Sequence, residues 1–199
     1  LEDRSVPSTF TVNTTLDDVT PANGKLSLRE AITKANTTPG ADVVVLPAGI
    51  FKITQSGAGE DGNLTGDFDI TDGVTIQGAG AGLSIIDGQR LDRAFDVLGS
   101  GPSSITAVFA GLTIRAGNAT GDGGGIRFGN ANLVTRDCIV SGNRASANGG
   151  GISNTALPGT GDVKVVRTTV AHNVAGAASG GIDVHGGRVL TASVSTCLL

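Results

Sequence analysis

A short glycine-led repeat constrains this chain more than any other feature. Gly123-Gly124-Gly125-Ile126, Gly149-Gly150-Gly151-Ile152 and Gly180-Gly181-Ile182 place their isoleucines 26 and then 30 residues apart. An apolar residue lies 12 positions before each isoleucine, as Ile114, Val140 and Val170. An asparagine follows each of those residues, as Asn118, Asn143 and Asn173, the first displaced by one position. Constant internal spacing inside a variable period is the mark of stacked units whose loops absorb the length differences.

The residue types choose among stacked architectures. With 32 Gly in 199 residues, helical repeats are excluded because Gly is a poor helix former. Leucine-rich repeats need a Leu-x-x-Leu-x-Leu frame, whereas these segments carry short β-branched runs such as Val163-Lys164-Val165-Val166. A parallel β-helix remains. Its sharp corners suit the glycine runs, and asparagines one coil apart can bond along the stack as an amide ladder.

Upstream, Val43-Val44-Val45-Leu46, Gly49-Ile50-Phe51-Lys52-Ile53, Phe68-Asp69-Ile70, Val74-Thr75-Ile76, Ser84-Ile85-Ile86, Ala94-Phe95-Asp96-Val97 and Ile105-Thr106-Ala107-Val108 read as further short strands. Residues 43–199 thus predict an all-β domain, a right-handed parallel β-helix of about six coils with the last incomplete; the handedness follows the crossover rule. Residues 1–42 hold a first strand at Phe10-Thr11-Val12 and a helix over 27–36. Ser27 followed by Glu30 forms a capping box, and Leu28, Ala31, Ile32 and Ala35 share one face. That amphipathic helix is expected to cover the first coil and block its open strand edges.

Several of these segments together resemble a known family. Leu26-Ser27-Leu28-Arg29-Glu30-Ala31-Ile32 with Ala35-Asn36, Leu46-Pro47-Ala48-Gly49, Gly66-Asp67-Phe68-Asp69-Ile70 and Val74-Thr75-Ile76-Gln77-Gly78-Ala79-Gly80 resemble the bacterial CSLREA-type surface proteins, with Leu26 where the family has its leading Cys. The resemblance implies a right-handed β-helix of the pectin-lyase-like kind. Leu1-Glu2-Asp3-Arg4-Ser5-Val6-Pro7 resembles the segment after the export signal in large planctomycete surface proteins. The Gly-Gly-x-Ile, Val140-x-x-Asn143 and Val170-x-x-Asn173 pattern is similar to repeats of chlamydial polymorphic outer-membrane proteins, which are adhesins. An exported, modular bacterial cell-surface or secreted protein is what these likenesses imply.

Charge and composition limit the partners. A formal net charge of −4, no basic run and few aromatics disfavour nucleic acid, and no stretch reaches the apolar length of a membrane helix. Cys138 and Cys197 match no zinc motif. They are expected to stay unpaired, with Cys197 one register position away from the Cys138 column, facing the other way, and Leu198 in the place of Val140 and Val170. Residues 194–199 read as the start of another coil. The chain is therefore expected to be a fragment, able to self-associate through an open C-terminal coil.

Chemistry is weighed against scaffold. Glu60, Asp61, Asp67, Asp69 and Asp72 lie close together, and Asp87, Asp92, Arg93 and Asp96 follow one coil later. Glu60, Asp61, Asp67 and Asp69 are the Ca²⁺-ligand candidates, since a calcium site needs six to eight oxygens; the competing reading makes these acids solvated turn residues. Arg93, as a base, and the pair Asp183 and His185 are the catalytic candidates. The expected function is a non-catalytic binding role on a surface glycan or another surface protein, without a required cofactor. The alternative is a Ca²⁺-dependent uronic-acid lyase or a glycoside hydrolase.

Overall fold

A computed structural model describes residues 6–20, 23–100, 105–154, 161–185, 189–192 and 197–198, with side chains described as far as 185. The chain opens with β1 (Thr9–Thr11) and α1 (Leu28–Thr37), followed by β2 (Asp42–Val45), β3 (Gly49–Lys52) and β4 (Phe68–Ile70). The next rung is β5 (Val74–Gln77), β6 (Ser84–Asp87) and β7 (Phe95–Leu98). A fourth short strand then joins each rung: β8 (Ile105–Ala110), β9 (Thr113–Arg115), β10 (Asn118–Ala119) and β11 (Ile126–Gly129), then β12 (Ala131–Arg136), β13 (Ile139–Ser141), β14 (Arg144–Ala145) and β15 (Ile152–Asn154). The last full rung is β16 (Val163–Val166), β17 (Thr169–Ala171), β18 (Val174–Ala175) and β19 (Ile182–Asp183), with β20 (Val189–Ala192) and β21 (Cys197–Leu198) stacked beyond it.

Every pairing is parallel and joins a strand to its counterpart one rung away. The result is an all-parallel β-solenoid of about five turns. Its walls are a seven-stranded sheet (β1-β2-β5-β8-β12-β16-β20), a six-stranded sheet (β3-β6-β9-β13-β17-β21), a five-stranded sheet (β4-β7-β11-β15-β19) and a three-stranded strip (β10-β14-β18). The expected inward residues occupy single register columns: Ile114, Val140 and Val170 align, as do Ile126, Ile152 and Ile182. All but Ile182, which packs partly buried against the core, are buried. Phe68, Phe95 and Phe109 continue this core, with ring centroids 5.4 and 4.7 Å apart. Tilted pairs of that kind add about 0.5–1.5 kcal/mol each beyond burial.

The glycine triplets divide their labour. Gly123 and Gly149 adopt φ of +66° and +56°, the left-handed conformation Gly enters without cost. The two residues after each let neighbouring rungs touch: a Cβ on Gly125 would stand 2.6 Å from the Gly151 carbonyl, and one on Gly151 2.6 Å from that of Gly181. In the third repeat Ser179 takes the left-handed position with φ of +45°.

The asparagine ladder exists, one member shorter than expected. Asn143 Nδ2 donates to Asn173 Oδ1 (3.0 Å), and each of the two amides also donates to a backbone carbonyl of the preceding rung, Ile114 and Val140 respectively. Gly117, whose N–H donates to Asn143 Oδ1 (2.9 Å), fills the corresponding place above them. Asn118 pairs in register with Arg144 and stands outside the ladder, which is the physical meaning of its one-residue displacement. A second correction concerns Cys197. It aligns with Val170, the inward column, where Leu198 was expected, because 27 residues separate the register partners Val170 and Cys197, one fewer than that expectation required. Cys138 is buried and free. Residues 194–196 and 199 of the expected last coil lie outside the described residues.

Helix α1 begins as its sequence dictates. Ser27 Oγ accepts from Glu30 N (3.1 Å) and the Glu30 carboxylate accepts from Ser27 N (2.9 Å), completing the capping box. Leu28, Ala31, Ile32 and Ala35 join the core, and the helix packs on β1, β2 and β4. Arg29 on that same side is fully buried.

Candidate functional site

The buried Arg29 is where the site begins. Its Nε donates to Asp17 Oδ1 (2.7 Å), its terminal nitrogens donate to the carbonyls of Gly66 (2.8 Å) and Asp67 (2.9 Å), and its guanidinium lies 4.6 Å from the Phe68 ring centre. Asp17 in turn accepts from Thr54 N and Gln55 N. Asn63, also buried, donates to the Arg29 carbonyl and to Thr33 Oγ1, and its backbone N–H donates to Asp69 Oδ2 (2.8 Å). Helix α1 and these polar groups thereby fix both ends of the long connection between β3 and β4.

Within that connection Glu60 is a scaffold residue. Its Oε1 accepts from Leu64 N and Thr65 N and its Oε2 from Gly62 N. Burial alone would raise its pKa, but those three N–H groups hold it below the usual carboxylate range. The loop so closed brings Asp61 and Asp67 against the outer side of the five-stranded sheet.

A cleft of about 280 Å³ results, lined by Glu60, Asp61, Asp67, Asp92, Arg93, Asp96 and Arg127. Arg93 donates to Asp96 (3.0 Å) and lies 3.4 Å from Asp67; Arg127 donates through Nε (2.8 Å) and a terminal nitrogen to the two oxygens of Asp96. Asp69 lies beside Asp96 in strand register, fully buried. Burial, reinforced by the charges of Asp92, Asp69 and Asp96 and offset in part by Arg93, pushes Asp67 up to about 8. Burial and the charges of Asp96, Glu60 and Asp61 push Asp69 up to about 7, against the Asn63 N–H bond. Asp92 is raised for the same first reason.

Glu60, Asp61, Asp67, Asp69 and Arg93 are thus brought to one place, together with Asp92 and Asp96. Burial of Asp67, Asp69, Asp92 and Asp96 replaces the solvated-turn reading for those four. Two expected members stand elsewhere. Asp72 bonds Gly73 N in a turn, and Asp87 pairs with Arg115 (2.9 Å) on the six-stranded sheet. Asp183 and His185 form their own pair, His185 Nδ1 lying 2.9 Å from Asp183 Oδ2. Asp183 shares a register column with Ser153, Arg127, Asp96 and Asp69, but three strand spacings of ~4.8 Å separate it from Asp96. Arg127 was missed from the sequence; its place directly after an inward repeat isoleucine marked it as outward beside Asp96. Arg29 carried no such signal.

The arrangement favours some chemistry over other. Arg93 is engaged by two carboxylates and serves as their anchor, which leaves it poorly placed to take a proton from a substrate. Oxygens of Asp61, Asp69 and Asp96 lie within 4.8 Å of one another, close enough to share one cation. Comparison with known protein families, curated proteins and solved structures finds no match for this chain.

Proposed function

We propose that this chain is a non-catalytic module of an exported bacterial surface protein, built on a right-handed β-helix with α1 covering its first rung, and that it binds another surface protein through the outer face of its seven-stranded sheet. The supporting observation is a column of uncharged, mostly β-branched residues on that face: Thr9, Val43, Thr75, Val108 and Val134 stand side by side in register, partly or fully exposed, before Lys164 ends the run. Parallel sheets are ordinarily covered on both faces, so an outer column free of charge from β1 to β12 suits a partner. A protein fits better than a glycan. Phe51, Phe68, Phe95, Phe109 and Phe128 are buried and Phe10 packs against the core, which leaves no ring of the described residues for a sugar to stack on.

The test is adhesion of beads carrying the chain to bacterial cells. Wild-type beads should adhere, Thr75→Lys with Val108→Lys should abolish adhesion, and protease treatment of the cells should do the same. Adhesion indifferent to the two lysines refutes the reading. The convergence of Glu60, Asp61, Asp67, Asp92 and Arg93 on one cleft favours a second reading, a Ca²⁺-dependent lyase acting on acidic polysaccharide. Unsaturated-uronide absorbance that appears with calcium and is lost in Arg93→Lys would establish that reading in place of the first.

A further inference from the structure

Among the described residues, two buried polar atoms in or beside the acidic cleft have no hydrogen-bond partner. Asp69 is fully buried; its Oδ2 accepts from Asn63 N, and its Oδ1 has no hydrogen-bond partner. Arg93 Nε, also buried, has none either. A buried carboxylate oxygen without a partner is costly to retain, and Asp69 belongs with Asp61 and Asp96 to a group in which one oxygen of each lies within 4.8 Å of the others.

Charge points the same way. The carboxylates of Glu60, Asp61, Asp92 and Asp96 line the cleft and that of Asp69 adjoins it. Only the guanidiniums of Arg93 and Arg127 among its lining residues oppose them. Positive charge is what the cleft lacks.

We infer that Asp61, Asp69 and Asp96 form a Ca²⁺ site that ties the connection between β3 and β4 to the outer side of β4 and β7. Glu60 is not a ligand, because both of its oxygens are engaged by backbone N–H groups of its own loop. Asp96 keeps a lone pair for the ion beside its bonds to Arg93 and Arg127, which orient it as outer partners commonly orient a metal ligand. Two ligands stand on neighbouring strands and the third on a loop, with solvent in the cleft to complete the shell. Ca²⁺ accepts such an irregular set of six to eight oxygens, whereas Mg²⁺ demands a near-ideal octahedron. The role is structural and does not depend on the binding reading above, whereas the lyase reading would also place a calcium ion in this cleft.

The experiment uses the full chain, stripped with chelator and desalted, titrated separately with CaCl₂ and MgCl₂ by calorimetry, with thermal unfolding and limited proteolysis in parallel. Calcium should bind once, in the range of about 10⁻⁴–10⁻³ M typical of extracellular modules. It should raise the unfolding midpoint and slow cleavage within residues 55–67. Asp61→Asn, a change at an exposed position, should weaken calcium binding about tenfold or more and leave the midpoint of the stripped protein unchanged. Asp72→Asn, outside the cleft, should bind as wild type does. No saturable heat below about 10 mM calcium, equal affinity for magnesium, or equal calcium affinity in Asp61→Asn would each overturn the site.

Discussion

The rungs built on glycine repeats and the rung that carries the acidic cleft meet the same demand, closing an irregular corner between strands of one sheet and the next, by different means. From Thr113 to Asp183 the corners after β9, β13 and β17 are closed by backbone and by Asn143 and Asn173, so one rung satisfies its neighbour with the same few atoms. Between β3 and β4 the corner is closed by single-use side chains: Asp17, Arg29, Glu60 and Asn63 each bond groups that have no counterpart among the described residues of the other rungs. A repeated solution shares its load along the stack. A single-use solution concentrates it, and it can bring together charges that a repeat would stack on one another.

The sharpest way to break this comparison is to remove Arg29. Arg29→Met keeps most of the volume but leaves Asp17 and the carbonyls of Gly66 and Asp67 without their donor, and should cost about 3–5 kcal/mol in urea unfolding. Asn143→Ala in the repeated region should cost less, about 1–3 kcal/mol, because Gly117 N and the Ile114 carbonyl each lose one partner. Equal losses for the two variants would mean that the load is not concentrated as argued.

pH separates two buried carboxylates by sign. Asp67, raised to about 8, keeps its proton in the folded chain where the unfolded chain has lost it. Its contribution to stability is full below the unfolded value near 3.8 and is lost as pH rises through about 8, with a slope of at most about 1.4 kcal/mol per pH unit. Asp87 behaves oppositely. Burial opposes its charge, yet bonds from Gln89 and Arg115 hold its pKa below 3.8, so its contribution is present above that value and fades as pH falls through the lowered one. In chelator, stability should therefore decline between pH 5 and pH 8, values about one unit inside or at the ends of that window, and Asp67→Asn should flatten the decline; an unchanged slope in Asp67→Asn would assign the effect elsewhere. The smallest change is expected at the exposed Arg167 and Asp137 pair, where Arg167→Ala should leave the midpoint within error.

What the sequence disclosed divides along the same line. The columns through Ile114 and Ile126 follow from a period and an alternation, both of which are arithmetic on residue numbers. The capping box and the apolar face of α1 are local rules, and they hold. Burial of Arg29 is neither. It depends on Asp17, Gly66 and Phe68 arriving together from three separate segments, and no spacing announces that. Likewise the acids around Asp67 were visible as acids, while their burial depended on the path of a loop with no periodic signal. Asp87 was grouped with them by closeness in sequence, but an outward position on β6 belongs to a different wall of the solenoid.

The strict register of the parallel walls has a consequence for how such a chain can change length. Each strand bonds only to counterparts one rung away, so a whole unit of 26 or 30 residues can be inserted or deleted and leave every other pairing intact. The molecule then grows or shrinks in steps of ~4.8 Å along its axis. One residue inserted within a strand is a different event, because it turns inward residues such as Val140 or Ile152 to the outside and carries the error into both adjoining rungs. Length in this architecture is quantised: drift by single residues is confined to the connections, and reach is gained a rung at a time.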